Sequence, residues 1–260
     1  MSFITIISVF VVLFPFVKLK YWYIIFAVGS ASILGVTLKV YRPVQMATEV
    51  LEPEKEEDVI AESGPNRDLL IVANNFARKV FGPDSLPLEE IEKWYNKNPL
   101  ALCVLRNRNN EFLGYFDIYP LNELGVNLLK KGSGEKDIEP EHILGPKEMK
   151  KAKALYLAGI AVVGHETGLH KERTAKLFWA MADYISHYYG DKPRTVLAIA
   201  ATPEGERLLK SPYLNSKIIK PKDVRADGHN LYLFKATKKV ILETKSRAEK
   251  RTEPPYCKWR

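Results

Sequence analysis

The most constraining stretch of this chain runs from Ala154 to Tyr189. It begins with ALYLAGIAVV, a continuous apolar run between Lys153 and Gly164 that reads as a buried strand. It ends with TAKLFWAMADYISHYY, in which Leu177, Ala180, Met181, Tyr184, Ile185 and Tyr188 recur at three- and four-residue spacings, the pattern of one apolar helix face. Between them lies GHETGLHKER, with Gly164 and Gly168, the basic or titratable His165, His170 and Lys171, and Arg173 at the helix entrance. A strand, a polar loop and a helix whose first amide groups point back into the loop form an anion site.

The remaining apolar residues are unevenly placed. Of the 260 residues 46% are hydrophobic, enough for one core, but many of them fall in the first forty positions. From Tyr21 to Val40 no charge appears before Lys39, and this length matches the roughly 20 residues that cross a bilayer. The earlier run, Phe3 to Val17, covers only about 22 Å as a helix, so it reads as a tilted span, a re-entrant segment or half of a hairpin turning at Pro15 to Lys20. No positive charge precedes it, which argues for a retained anchor over a cleaved signal peptide. Tyr21, Trp22, Tyr23 and Tyr41 stand where interfacial aromatics sit, while Lys18, Lys20, Lys39 and Arg42 flank both ends and leave the orientation open.

The expected organisation is a membrane anchor over residues 1–42, a charged linker over 43–66, a globular domain over 67–237 and a basic tail over 238–260. Within the linker a short helix is expected near Glu54 to Glu62. Arg67 to Val80 carries a helical stripe ended by Gly82 and Pro83, and a second helix follows Pro87 with Glu89, Glu90 and Glu92 in its early turns. LALCVLRN and EFLGYFDIYPL then read as an antiparallel hairpin, with Cys103 as a core thiol. Leu124 to Met149 reads as a helix fragment and a long loop; after the central helix come a strand at TVLAIAA, a short helix from Pro203 to Leu209, and strands at SKII and LYLFKA. This order predicts an α/β fold with a mixed sheet and helices on its faces. Two cysteines, one in a strand and one near the end, imply no disulfide framework.

The segment IEKWYNKNPLALCVLRNRNNEFLGYFDIYPLNE, followed by LYLAGIAVV, the loop and helix, and TPEGERLLKSPYL, resembles the GCN5-related N-acetyltransferase (GNAT) superfamily over roughly Val59 to Ala236. The resemblance implies a mixed, mostly antiparallel sheet flanked by helices, here preceded by a transmembrane hairpin or single span. It also implies acetyl-CoA as co-substrate: strand residues Ile160, Ala161, Val162 and Val163 would meet the pantetheine arm, and His165, Gly168, Leu169, His170, Lys171 and Arg173 would receive the pyrophosphate. The family loop reads Arg or Gln, two residues, Gly, one residue, then Gly or Ala. Here His165 opens the nearest match, with Gly168 in place and His170 at the small position; a second register ends at Ala175 and puts Arg173 at the glycine position.

Many family members protonate the leaving thiolate with a Tyr that, counted back from Tyr213, falls near Leu208, where this chain has no phenol. No catalytic acid or base is assigned. Asp117, Tyr119 and Glu123 are candidates to face the acceptor, or else exposed alternation on a strand; Tyr156 is the polar side chain of the central strand. His165, Glu166 and His170 do not make a zinc site, because histidines five apart are separated by about 140° on a helix. The tail, with Lys238, Lys239, Lys245, Arg247, Lys250, Arg251, Lys258 and Arg260, reads as disordered and solubilising, or as attracted to anionic headgroups; the net charge of +8 does not by itself imply nucleic acid. Together these readings give a membrane-anchored enzyme with its globular domain in the cytoplasm, moving an acyl group from acetyl-CoA to an amine, or alternatively a non-catalytic acyl-CoA-binding or protein-interaction module.

Overall fold

The structure, a computed structural model, describes residues 58–164, 169–190, 192–212 and 214–260. Eight strands form one sheet in the order β6-β7-β5-β4-β3-β2-β1-β8: β1 (Ile60–Ser63), β2 (Leu102–Arg106), β3 (Phe112–Leu121), β4 (Ala154–Val162), β5 (Arg194–Ile199), β6 (Lys217–Lys220), β7 (Leu231–Ala236) and β8 (Tyr256–Lys258). Only β4–β5 and β1–β8 pair in parallel, so the sheet is mixed and mostly antiparallel as expected.

The helices start and stop where local chemistry directs. In α1 (Arg67–Phe81) the Asn66 side chain accepts from the Leu69 amide at 3.0 Å, Asp68 lies in the first turn, and Gly82 ends the helix at φ 60°. Its buried side is Leu70, Ala73, Asn74 and Ala77. α2 (Leu88–Lys97) buries Trp94, whose indole N–H donates to the Ile138 carbonyl at 2.9 Å and whose ring meets Tyr119 edge-on at 4.9 Å. α3 (Glu123–Lys131) is capped by Asn122 and ends at Gly132, φ 107°, where a β-carbon would stand 2.7 Å from the Val224 carbonyl oxygen. Three short 3-10 turns then carry the chain to β4.

α1, α2 and α3 cover the sheet face bearing Tyr115, Tyr119, Leu121 and Tyr156. α4 (His170–Tyr189) and α6 (Lys238–Glu249) cover the face bearing Phe116, Ile118, Leu155 and Leu157, while the short α5 (Pro203–Leu209) follows β5. Cys103 is buried in β2, and burial pushes its thiol well above the usual range, in keeping with a core thiol.

Three expectations differ from what folds. Ile60–Ser63 is a strand paired with β2 and β8, so the charged linker does not reach residue 66 and no helix covers residues 58–62. Residues 238–260 are not a disordered tail. Thr237 caps α6, Lys245 pairs with Asp183 at 2.5 Å, the Trp259 indole donates to Asp183 at 2.7 Å, and Arg260 pairs with Glu62 at 2.7 Å. Nor do Asp117 and Tyr119 alternate into solvent: both are buried, because helices cover β3 on both faces, and Glu123 alone is exposed, in the first turn of α3. The expected spans within residues 1–42 lie outside the described residues; among those described, no helix is long and apolar enough to cross a membrane.

Candidate functional site

β4 carries a bulge at its middle. Asp117 of β3 faces Gly159, yet the next residue, Ile118, faces Leu157, so Ala158 is the extra residue. The bulge changes the strand's parity. Ala154 and Tyr156 face the α1–α3 side before it, and Gly159 and Ala161 face that side after it. Pairing with β5 also ends here, covering only Leu155 to Leu157. Beyond that point the β5-facing edge of β4, from Ala158 to Val162, has no strand partner among the described residues.

The opening between β4 and β5 leads into a cavity of 910 Å³, within the size range of small-molecule sites. One side is bounded by Ile160, Ala161, Val162 and Gly164 with His170 and Thr174 from the first turns of α4; the other by Ala198 to Thr202 and Leu208. Of the residues expected to bind a cofactor, Ile160, Ala161, Val162 and His170 line this space. Val163 is next to it, its amide donating to the Leu113 carbonyl and its own carbonyl accepting from Arg173 at 3.1 Å. Leu169 caps α4 and Lys171 is exposed, while His165 and Gly168 lie outside the described residues. Tyr213 does too.

A group of carboxylates at the far end went unread as a group in the sequence. Asp117 Oδ1 is buried without a hydrogen bond of regular geometry. Burial raises its carboxyl to about 7, although the nearby amides of Gly159 and of Asp117 itself favour the charge. Glu135, in a 3-10 turn between α3 and β4, is raised to about 8, first by burial and then by the charge of Asp117; the Tyr156 hydroxyl beside it opposes that shift. Burial also raises the phenols of Tyr115 and Tyr156 well above their usual range. Asp227 and His229 close this end. Asp227 pairs with the buried Arg225 guanidinium at 2.5 Å, and Arg225 donates in turn to the Leu129 carbonyl at 3.1 Å; His229 Nε2 stands 3.3 Å from Asp84 Oδ2.

The site therefore offers an unpaired strand edge and a helix start on one side of the sheet opening. On the other it offers two carboxyl groups, Asp117 buried and Glu135 half-buried, whose pKa values are raised toward neutrality, a combination suited to accepting a proton at physiological pH. Among the described residues, no three His, Cys, Asp or Glu side chains are grouped to hold a metal ion.

No family model matches the sequence, and no curated protein matches it. Among solved structures the chain is similar to the loading GNATL domain of CurA from Lyngbya majuscula, at 13% identity and a TM-score of 0.46, over 68% of this chain and 98% of that one.

Proposed function

We propose that this chain is an acyltransferase that moves an acetyl or longer acyl group from coenzyme A to an amine, held at a membrane by residues 1–42 with its globular part in the cytoplasm. The observation that carries the reading is the opening between β4 and β5 at the Ala158 bulge, with Asp117 directly beside it. The open edge of β4 has main-chain groups free to hydrogen-bond a pantetheine arm, and the first turn of α4 is oriented to favour the negative charge of a pyrophosphate. Asp117, with its pKa near neutrality, suits the proton that an amine sheds as its nitrogen attacks the thioester carbonyl and the C–S bond breaks. The thiolate leaves toward Leu208, which supplies no acid, so its proton comes from solvent.

Leu208 also favours a second reading, in which the cleft holds acyl-CoA or a partner and transfers nothing. Calorimetric titration of the full chain in nanodiscs with acetyl-CoA, CoA and a long-chain acyl-CoA, followed by thiol release in the presence of amines, separates the two. Saturable binding with amine-dependent thiol release is expected. Binding without release leaves the second reading, and no binding removes acyl transfer and leaves only a partner in the cleft. Membrane attachment is tested by deleting residues 1–42, which should release the protein from membranes without detergent; retention would shift the anchor elsewhere.

A further inference from the structure

We infer that the acceptor is a small primary amine with an apolar body, its ammonium received between Asp117 and Glu135 and its body laid against α1. This rests on the acyl-transfer reading and adds the substrate class. The acidic groups at this end of the cleft are unequally matched. Asp227 has Arg225, Asp84 has His229, and Asp137 accepts from the Gly134 amide at 2.8 Å. Among the described residues Asp117 and Glu135 have no ion-pair partner; Lys136, the cation that acts on Glu135, is exposed. Two carboxyl groups turned into one cavity that the exposed Lys136 also lines repel each other and any anionic acceptor, and an entering ammonium relieves that repulsion.

The same cavity has an apolar wall. Phe76, Val80 and Phe81 of α1 line it; Phe76 and Phe81 are half-buried and Val80 is 40% exposed near the end of the helix. An acetyl group has no need of such a wall, whereas an alkyl or aryl body attached to the amine would cover it. A polycation would leave it bare.

Because both carboxyl groups must ionise to receive the ammonium fully, affinity should rise with pH over roughly 6 to 8.5. Groups facing the pair from neighbouring elements are Tyr115, Tyr119 and Tyr156 from the sheet, Lys136 beside Glu135, and Arg225 with Asp227. The phenols titrate well above this window.

The test is calorimetry on the full chain in nanodiscs, with and without CoA, using 2-phenylethylamine, hexylamine, methylamine, spermidine and 2-phenylethanol. Phenylethylamine should bind roughly tenfold or more tightly than both methylamine and phenylethanol, and Glu135→Gln should weaken it by about the same factor. Val80→Ser, at an exposed position, should weaken phenylethylamine and leave methylamine unchanged, with an unaltered melting temperature showing that the fold is intact. Equal binding of phenylethylamine and phenylethanol, or a preference for spermidine over hexylamine, overturns the inference. CoA titrated alone reads the acyl-transfer proposal separately: CoA binding without amine discrimination defeats the substrate class only, and absent CoA binding defeats the reaction.

Discussion

Gly159 stands opposite Asp117 in the β3–β4 ladder, and a β-carbon built on it would lie 2.9 Å from Asp117 Oδ1 and 2.7 Å from the Tyr115 hydroxyl. The backbone conformation of Gly159 is not left-handed, so what demands glycine here is the approach of two side chains across the strand. Gly159→Ala should displace Tyr115 and Asp117, cost about 1–3 kcal/mol of stability and lower acyl transfer. Thermal melting and a turnover assay check this; a variant with unchanged melting temperature and rate would show that the neighbours move aside freely.

Asp117→Asn removes the proposed proton acceptor while keeping the shape of the side chain. Transfer should fall by roughly 10²–10⁴-fold, and the rise of kcat/KM with pH through about 7 should disappear. A variant retaining that limb would assign the titration to another group.

The same carboxyl groups make stability depend on pH. Asp117 titrates at about 7 when folded against 3.8 for the free group, and Glu135 at about 8 against 4.5. Raised folded values mean that the native state holds protons the unfolded chain has lost. Their stabilising contribution is complete below about pH 4 and disappears as pH rises through 7 to 8. Scanning calorimetry from pH 4 to 9 should show a decline that the double variant Asp117→Asn, Glu135→Gln flattens, with the double variant melting higher at pH 8.5.

Arg225 is a buried cation holding Asp227 at one wall of the cleft and the Leu129 carbonyl at the end of α3. Arg225→Met leaves the Asp227 carboxylate without its partner and should cost about 3–5 kcal/mol in chemical denaturation. A loss below about 1 kcal/mol would mean that solvent reaches Asp227 readily.

Removing residues 238–260 should abolish cooperative unfolding of the remaining chain. The cut exposes the outer edge of β1 and the Tyr184 ring, which meets Trp259 at 5.7 Å, and strips Asp183 of both Lys245 and Trp259. A sharp melting transition in the truncated protein would return the segment to a solubilising role.

The elements that announced themselves in the sequence are those with strong periodicity or clear punctuation. The stripe of α1 ending at Gly82, the short helix opening at Pro203 and the apolar run of β4 fold where their patterns put them. α6 was hidden because it buries only Ile241 and Ala248 among its twelve residues, so its charges dominate the pattern; β1 and β8 are too short for alternation to register. The strand and helix sides of the cleft were legible because apolar runs carry them. The carboxylate end was not. Asp117 sits in an alternating strand, where period alone does not tell a solvent face from one covered by a helix, and Glu135 lies in a glycine-containing loop without any period. Gly159, inside an otherwise apolar strand, was the one residue-level sign of a bulge.

The pairing of β8 with β1 joins the last strand of the described chain to its first, some two hundred residues apart. During synthesis, β1 leaves the ribosome with one edge bare, and β2 can cover only the other. The bare edge stays available to neighbouring chains until residues 256–258 emerge, so a pause or break in synthesis before that point leaves nascent copies of this protein exposed to pairing with each other.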